Sequence, residues 1–251
     1  MSARDDLIQF FDERFGEIGS YLALLQEIEN AARTGPPRIE GAANVITASQ
    51  QKILYSSVYL QLYNLVEATV SQCIKAVTDA VSSSESEWRA EDLNESLRKE
   101  WVRFMARTHV ILNPQHRLES AVEMCNHLVE RLPIVTLEID KGGGGNWDDE
   151  SIEKMSARVG CPLDISPTTK DAVKRPERDD LGAMKLIKNR RNVLAHGSIS
   201  FVDCAEGVAV TELRRIAEST GAYLREAISS YADYIDLLAF IDPARRPSVP
   251  V

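Results

Sequence analysis

Long apolar runs are missing from this sequence. Leu7–Leu25 is broken by a charge every few residues, and the most apolar stretch, Ile53–Val70, carries Asn64 and Glu67 among its Tyr and Gln residues. Neither offers the roughly 20 uninterrupted apolar residues of a membrane-spanning helix, and Met1–Asp6 is too polar to open a signal peptide. A cytoplasmic protein without membrane contact is expected. Cysteine is scarce too: the four, at 73, 125, 161 and 204, lie far apart with no CxxC pair. That spacing excludes a disulfide frame and a cysteine-built zinc site, and reads as reduced thiols. Of the four histidines, His109, His116 and His127 lack a Cys or carboxylate at ligand spacing, so they read as surface or core residues and neither metal nor cofactor is expected. Basic excess is absent as well. A net charge of −9 argues against coating nucleic acid through an overall field, though not against a local basic site.

What the chain does have is helical periodicity. With 251 residues and 44% hydrophobic content, one large domain over 1–240 is expected, with 241–251 as a proline-rich tail. Phe10, Phe11, Phe15, Ile18, Leu22, Leu25 and Ile28 recur at three- and four-residue steps and predict one amphipathic helix, ended by Gly35-Pro36-Pro37. Ile46–Val81 predicts a long central helix whose polar stripe is Ser57, Gln61, Asn64, Glu67, Ser71 and Lys75. Tyr55, Tyr59 and Tyr63 repeat every fourth residue and read as core packing. Ser82–Ser86 reads as a loop, Trp88–His109 as a helix, and another helix surrounds Leu118–Leu132 after Pro114.

Residues 133–178 look different and read as an insertion or excursion within the domain, since they hold too few apolar residues to close a core of their own. Ile134–Ile139 suits a short strand, and Gly142–Gly145 a flexible joint. Asp148 is placed to cap a helix running to Arg158, stopped by Gly160 and Pro162, and Pro167–Pro176 reads as loop. Asp179–Ala195 then resumes as a helix stopped at Gly197. Ile199–Val210 suits a loop or small hairpin, and Thr211 opens a final helix with Leu213, Ile216, Tyr223, Ala227, Tyr231, Ile235 and Leu238 on one face.

The stretch that carries chemistry is LIKNRRNVLAHGSISF at 186–201. On an ideal helix at about 100° per residue, Ile187, Arg191 and Leu194 share one apolar stripe. A guanidinium therefore sits where a core or interface residue belongs, which is rare unless it is paired or functional. His196 falls at the helix end, before a helix-stopping glycine and at the negative end of the helix dipole. Asn192, four residues earlier, is close enough to bond or orient it. These residue types suit RNA cleavage, because the ribose 2′-OH attacks its own phosphate and no metal or enzyme nucleophile is required. Histidine moves protons near neutral pH, and arginine offers a permanent planar fork to phosphate oxygens as charge builds. The neighbourhood is locally basic, with eight Lys/Arg against four Asp/Glu over 170–200. Lys185, Lys188 and Arg190 are candidate phosphate guides, or else a solvated charged face. Asn64 and Glu67 either face the cleft, with Glu67 pairing Arg191, or form the wet edge of their helix. Spacing alone does not single out His196, since Arg103 and His109 also satisfy Arg-x5-His.

Context does. R-N-V-L-A-H-G resembles the Arg-x4–6-His motif of the HEPN superfamily (higher eukaryotes and prokaryotes nucleotide-binding), with its polar residue directly after the arginine. LQLYNLVEATV at 60–70 resembles the second-helix signature of the MAE-like HEPN nuclease branch. GGNWDDESIEKMSARVG at 144–160 resembles its middle segment more loosely, and YLREAISSYADYID its closing helix. The tetraglycine and the proline-rich 161–178 stretch are poorly matched. This resemblance implies an all-α, antiparallel helical bundle with an irregular insertion before the motif helix, dimerising so that two motifs face one another across a cleft. It implies a metal-independent endoribonuclease in phage defence or as the toxin of a toxin–antitoxin pair, with RNA, a second copy and an antitoxin or defence protein as partners. By match to the motif, Arg191 stabilises the phosphate, His196 is the acid/base and Asn192 the polar positioner. Two other readings stand beside it: a non-catalytic HEPN module binding nucleotide, RNA or a partner protein for regulation, and a plain helical interaction protein.

Overall fold

The computed structural model describes residues 3–41, 43–83, 87–108, 110–142 and 146–247. Among them the chain forms α1 (Ala3–Ala32), α2 (Ala48–Val81), α3 (Glu95–Met105), α4 (Pro114–Val129), α5 (Asp149–Val159), α6 (Pro167–Lys174), α7 (Ala183–Ala195), α8 (Phe201–Cys204) and α9 (Val210–Asp236), and no strand. None of these helices is long and apolar enough to cross a membrane. The described cysteines are unpaired thiols, with Cys73, Cys161 and Cys204 buried.

Three long helices, α1, α2 and α9, pack on one another and form the centre of a helical bundle. Their amphipathic faces meet through Phe11, Leu25, Tyr59, Leu62, Leu213 and Tyr231, all buried. The expected polar stripe of α2 is its wet edge, with Asn64 and Lys75 exposed, and the three tyrosines at 55, 59 and 63 are buried. α2 starts where Thr47 and Gln50 bond reciprocally, the Gln50 N–H to Thr47 Oγ1 at 3.2 Å and the Thr47 N–H to Gln50 Oε1 at 2.8 Å. α9 has no side-chain cap of its own. Glu29 of α1 reaches over instead, accepting the Val210 N–H at 3.1 Å. Close approach of α1 and α9 depends on Gly221, where a Cβ would stand 2.6 Å from Phe15 Cζ. α7 and α8 lie on α2, while α6 packs on α9 and α7. α5 is hung from α9, for the Tyr223 hydroxyl donates to the Asp149 carbonyl at 3.3 Å and the Tyr234 hydroxyl to the Val159 carbonyl at 2.8 Å.

Several elements differ from their sequence expectation. The region read as one helix from Trp88 begins as turns, and α3 starts only at Glu95, where Asn94 Oδ1 accepts the Leu97 N–H at 2.9 Å. His109 lies outside the described residues. Ile134–Ile139 buries Ile134, Leu137 and Ile139, but forms no strand among the described residues. Pro167–Lys174 is helical rather than loop: Ser166 is the N-cap, and Pro167 occupies the first helical position, where no N–H is needed. α7 starts at Ala183, not Asp179, because Asp179 and Asp180 take left-handed φ values of 54° and 56°. The 199–210 stretch holds the short helix α8, not a hairpin.

The 133–178 excursion is stitched into the main core through Trp147, Ile152, Val159, Cys161 and Val173. Past residue 240, Ile241 is fully buried and bridged to Leu93, while residues 243–247 are exposed. Of the tetraglycine, only Gly142 is among the described residues.

Candidate functional site

α7 carries the Arg–His motif, and its ends explain its position. Gly182 starts it against α6, where a Cβ would stand 2.3 Å from the Val173 carbonyl oxygen. At the other end His196 is the C-cap, Gly197 turns left-handed at φ 65°, and the Ser198 N–H closes back on the Val193 carbonyl at 2.8 Å. Ala183, Met184, Leu186, Ile187 and Leu194 are buried. Arg191, on the same stripe, is half-buried, with its Cζ 4.6 Å from the centre of the Tyr63 ring of α2. Tyr63 is fixed in turn by the Trp147 N–H, which donates to its hydroxyl at 3.3 Å. Burial pushes the Tyr63 phenol above its usual range and Glu67 adds to this, while the Trp147 N–H and Arg191 act the other way. The phenol therefore stays neutral and gives the guanidinium an uncharged aromatic face.

Arg191, Asn192 and His196 line one cleft of about 590 Å³ with Glu67 and Ser71 of α2 and Lys141, Asn146 and Trp147 of the excursion. Arg191 Nη1 donates to Asn192 Oδ1 at 2.9 Å, and Asn192 Nδ2 donates to Asn146 Oδ1 at 3.2 Å. Asn192 thus positions Arg191. The expected side-chain bond from Asn192 to His196 does not form; only the backbone joins them, the His196 N–H donating to the Asn192 carbonyl at 3.0 Å. The imidazole is exposed at the cleft, with no side-chain hydrogen bond among the described residues.

Glu67 shares the cleft but makes no ion pair with Arg191 among the described residues, so of the two readings the pairing does not form, and Asn64 is exposed outside the cleft. The three residues read as phosphate guides or a solvated charged face do not line it either. Lys185 pairs with Glu150 at 2.6 Å, Lys188 with the buried Asp148, and Arg190 with Asp179. Physically, the first two pairs clamp the N-terminal end of α5 onto α7, which brings Asn146 to Asn192. Asp148 shows the balance: burial pushes its carboxyl up, but Lys188 and the Ser151 hydroxyl and N–H outweigh it and leave it below the usual range. Tyr63, Ser71, Lys141, Asn146 and Trp147 were not anticipated from sequence. Only Asn146 and Trp147 had a signal, in the N-W-D-D run of the loosely matched middle segment. Among the described residues, no cluster of three or more His, Cys, Asp or Glu is arranged to hold a metal ion.

An all-helical bundle that presents Arg, Asn and a helix-ending His on one cleft agrees with the HEPN resemblance of the sequence. The family profile described as MAE_28990-like HEPN matches residues 3–238, and the chain belongs to that family. Comparison with curated proteins and with solved structures found no match.

Proposed function

We propose that this chain is a metal-independent endoribonuclease acting through the RNA's own 2′-OH. The observation that carries the reading is the shared cleft: Arg191, Asn192 and His196 line one volume, with Arg191 held on its edge by Asn192 and on its face by Tyr63. In the reaction the 2′-oxygen bonds to phosphorus as the bond from phosphorus to the next 5′-oxygen breaks. One proton leaves the 2′-OH and one is delivered to the departing 5′-oxygen, giving a 2′,3′-cyclic phosphate and a 5′-OH without consuming water. Arg191 faces the phosphate oxygens as negative charge builds on them. His196, its ring unbonded, takes or gives the proton. The complementary transfer falls to His196 of a second copy, which is why the active form is a dimer. RNA is the substrate, and family membership supports a setting in phage defence or toxin–antitoxin control, with an antitoxin or defence protein restraining the enzyme.

The test is incubation of wild type and His196→Ala with mixed cellular RNA in EDTA. Cleavage by wild type alone, leaving cyclic phosphate ends, is expected. Equal cleavage by both proteins would sink the assignment. No cleavage by either folded protein would replace it with a non-catalytic module that binds nucleotide, RNA or a partner protein.

A further inference from the structure

A second pocket of about 260 Å³ opens beside the cleft, between Lys141, Gly142, Asn146 and Trp147 on one side and one face of α5 on the other. Lys141, Gly142, Asn146 and Trp147 line both volumes, so the two are adjacent. The far wall is Lys154, Met155 and Arg158, which share the α5 face by their three- and four-residue spacing. Three cations line this pocket and no acidic residue does, on a chain whose net charge is −9.

Those charges are available to a ligand. Lys154 is exposed and in no ion pair among the described residues, and Glu150, one turn before it, is committed to Lys185 at 2.6 Å. The Lys141 ammonium donates to a neutral partner, the Ser71 hydroxyl, at 3.1 Å. Arg158 does bind a carboxylate, donating to Glu100 at 2.9 and 2.7 Å and to the Asp140 carbonyl at 2.7 Å. Glu100, however, is shared with Arg103, so the three groups together keep one positive charge. Trp147 and Met155, both largely buried, give the pocket an apolar floor.

We infer that this pocket is a subsite for the nucleotide next to the scissile phosphate of a single-stranded RNA. Lys141, Lys154 and Arg158 take its phosphate, and the Trp147–Met155 floor takes the apolar surface of its base. A pocket of this size admits one nucleotide-sized group and no duplex, and unpaired bases are what a protein can seat in this way. The identity of the strand as RNA rests on the ribonuclease reading. The subsite itself rests on the charge and shape of the pocket.

The experiment measures binding of a fluorescent 2′-O-methyl octanucleotide, which cannot be cleaved, by anisotropy over a range of salt concentrations. Wild type is compared with Lys154→Gln, Lys154→Arg and Lys99→Gln, the last removing a lysine that lines neither volume. Lys154→Gln is expected to weaken binding about fivefold at low salt and to flatten the slope of log affinity against log salt by about 0.7, the value of one single-strand phosphate contact. Lys154→Arg should restore both, and Lys99→Gln should change neither. Wild-type affinity and slope in Lys154→Gln would overturn the subsite, even where His196→Ala had upheld the ribonuclease. Weakened binding by Lys154→Gln, from a protein that cleaves nothing, would keep the subsite and remove the ribonuclease.

Discussion

Asn192 accepts a hydrogen bond from the Arg191 guanidinium at 2.9 Å and hands its own amide to Asn146 at 3.2 Å. The polar residue that follows the arginine in the motif therefore serves the arginine, not the histidine one turn later. With Tyr63 against its face, the guanidinium is held on two sides, the preorganisation that the proposed ribonuclease would use.

Removing that support has a predicted cost. Asn192→Ala leaves the charge of Arg191 but frees its edge, and a hydrogen bond to a charged group is worth about 1.5–3 kcal/mol. Single-turnover cleavage should slow by roughly tenfold or more, with RNA affinity little changed. A full wild-type rate would show that Tyr63 alone orients the guanidinium.

Arg191→Lys separates charge from shape. Lysine keeps the positive charge but loses the planar fork and the stacked contact with Tyr63. Cleavage should fall by about 10²–10³-fold, while octanucleotide binding, read by anisotropy, falls far less. Parallel losses in both measurements would mean that Arg191 acts by binding alone.

Asp149 makes stability depend on pH. Burial, then the neighbouring Asp148, hold its carboxyl above the usual range, against the opposing pull of its own backbone N–H and of Lys185 and Lys174. An acid whose pKa is raised by folding favours the fold fully below its unfolded pKa and loses that advantage as pH rises through the folded one. Asp149→Asn should therefore match wild type near pH 3 and become the more stable protein as pH climbs from about 4 to 7. Urea midpoints across that range provide the comparison, and a constant difference would show that the carboxyl is not strained by its site.

Gly221→Ala tests the contact between α1 and α9. Alanine gains about 1 kcal/mol of helix propensity, but its Cβ would stand 2.6 Å from Phe15 Cζ. Overpacking of this kind costs about 1–3 kcal/mol, so the urea midpoint should drop. A higher midpoint would mean that the Phe15 ring swings aside at no cost.

Much of the fold was legible because α1, α2 and α9 each bury a continuous stripe, and stripes are local patterns. Pro167 misled because proline both breaks helices and starts them, and only the neighbouring Ser166 cap decides between the two. Ile134–Ile139 misled because its run of apolar residues suits a strand as well as a loop laid on a core, and the want of a partner strand among the described residues is a tertiary fact. At the site, Arg191, Asn192 and His196 could be read from one heptapeptide. Lys141 and Asn146 could not, since they reach the cleft from 45 to 50 residues away, where ion pairs join the start of α5 to α7. Lys185, Lys188 and Arg190 looked free because their acids, Glu150, Asp148 and Asp179, are brought to them by folding.

The order of these elements along the chain also sets a schedule. Arg191, Asn192 and His196 all precede α9, yet α2 and α7 both rest on α9, and two of its tyrosines hold α5 at either end. On the ribosome the complete motif emerges while the helix that aims it is still being made. A nascent chain thus displays the residues of the site without their geometry, and the cleft takes shape only when the last long helix docks against the first two.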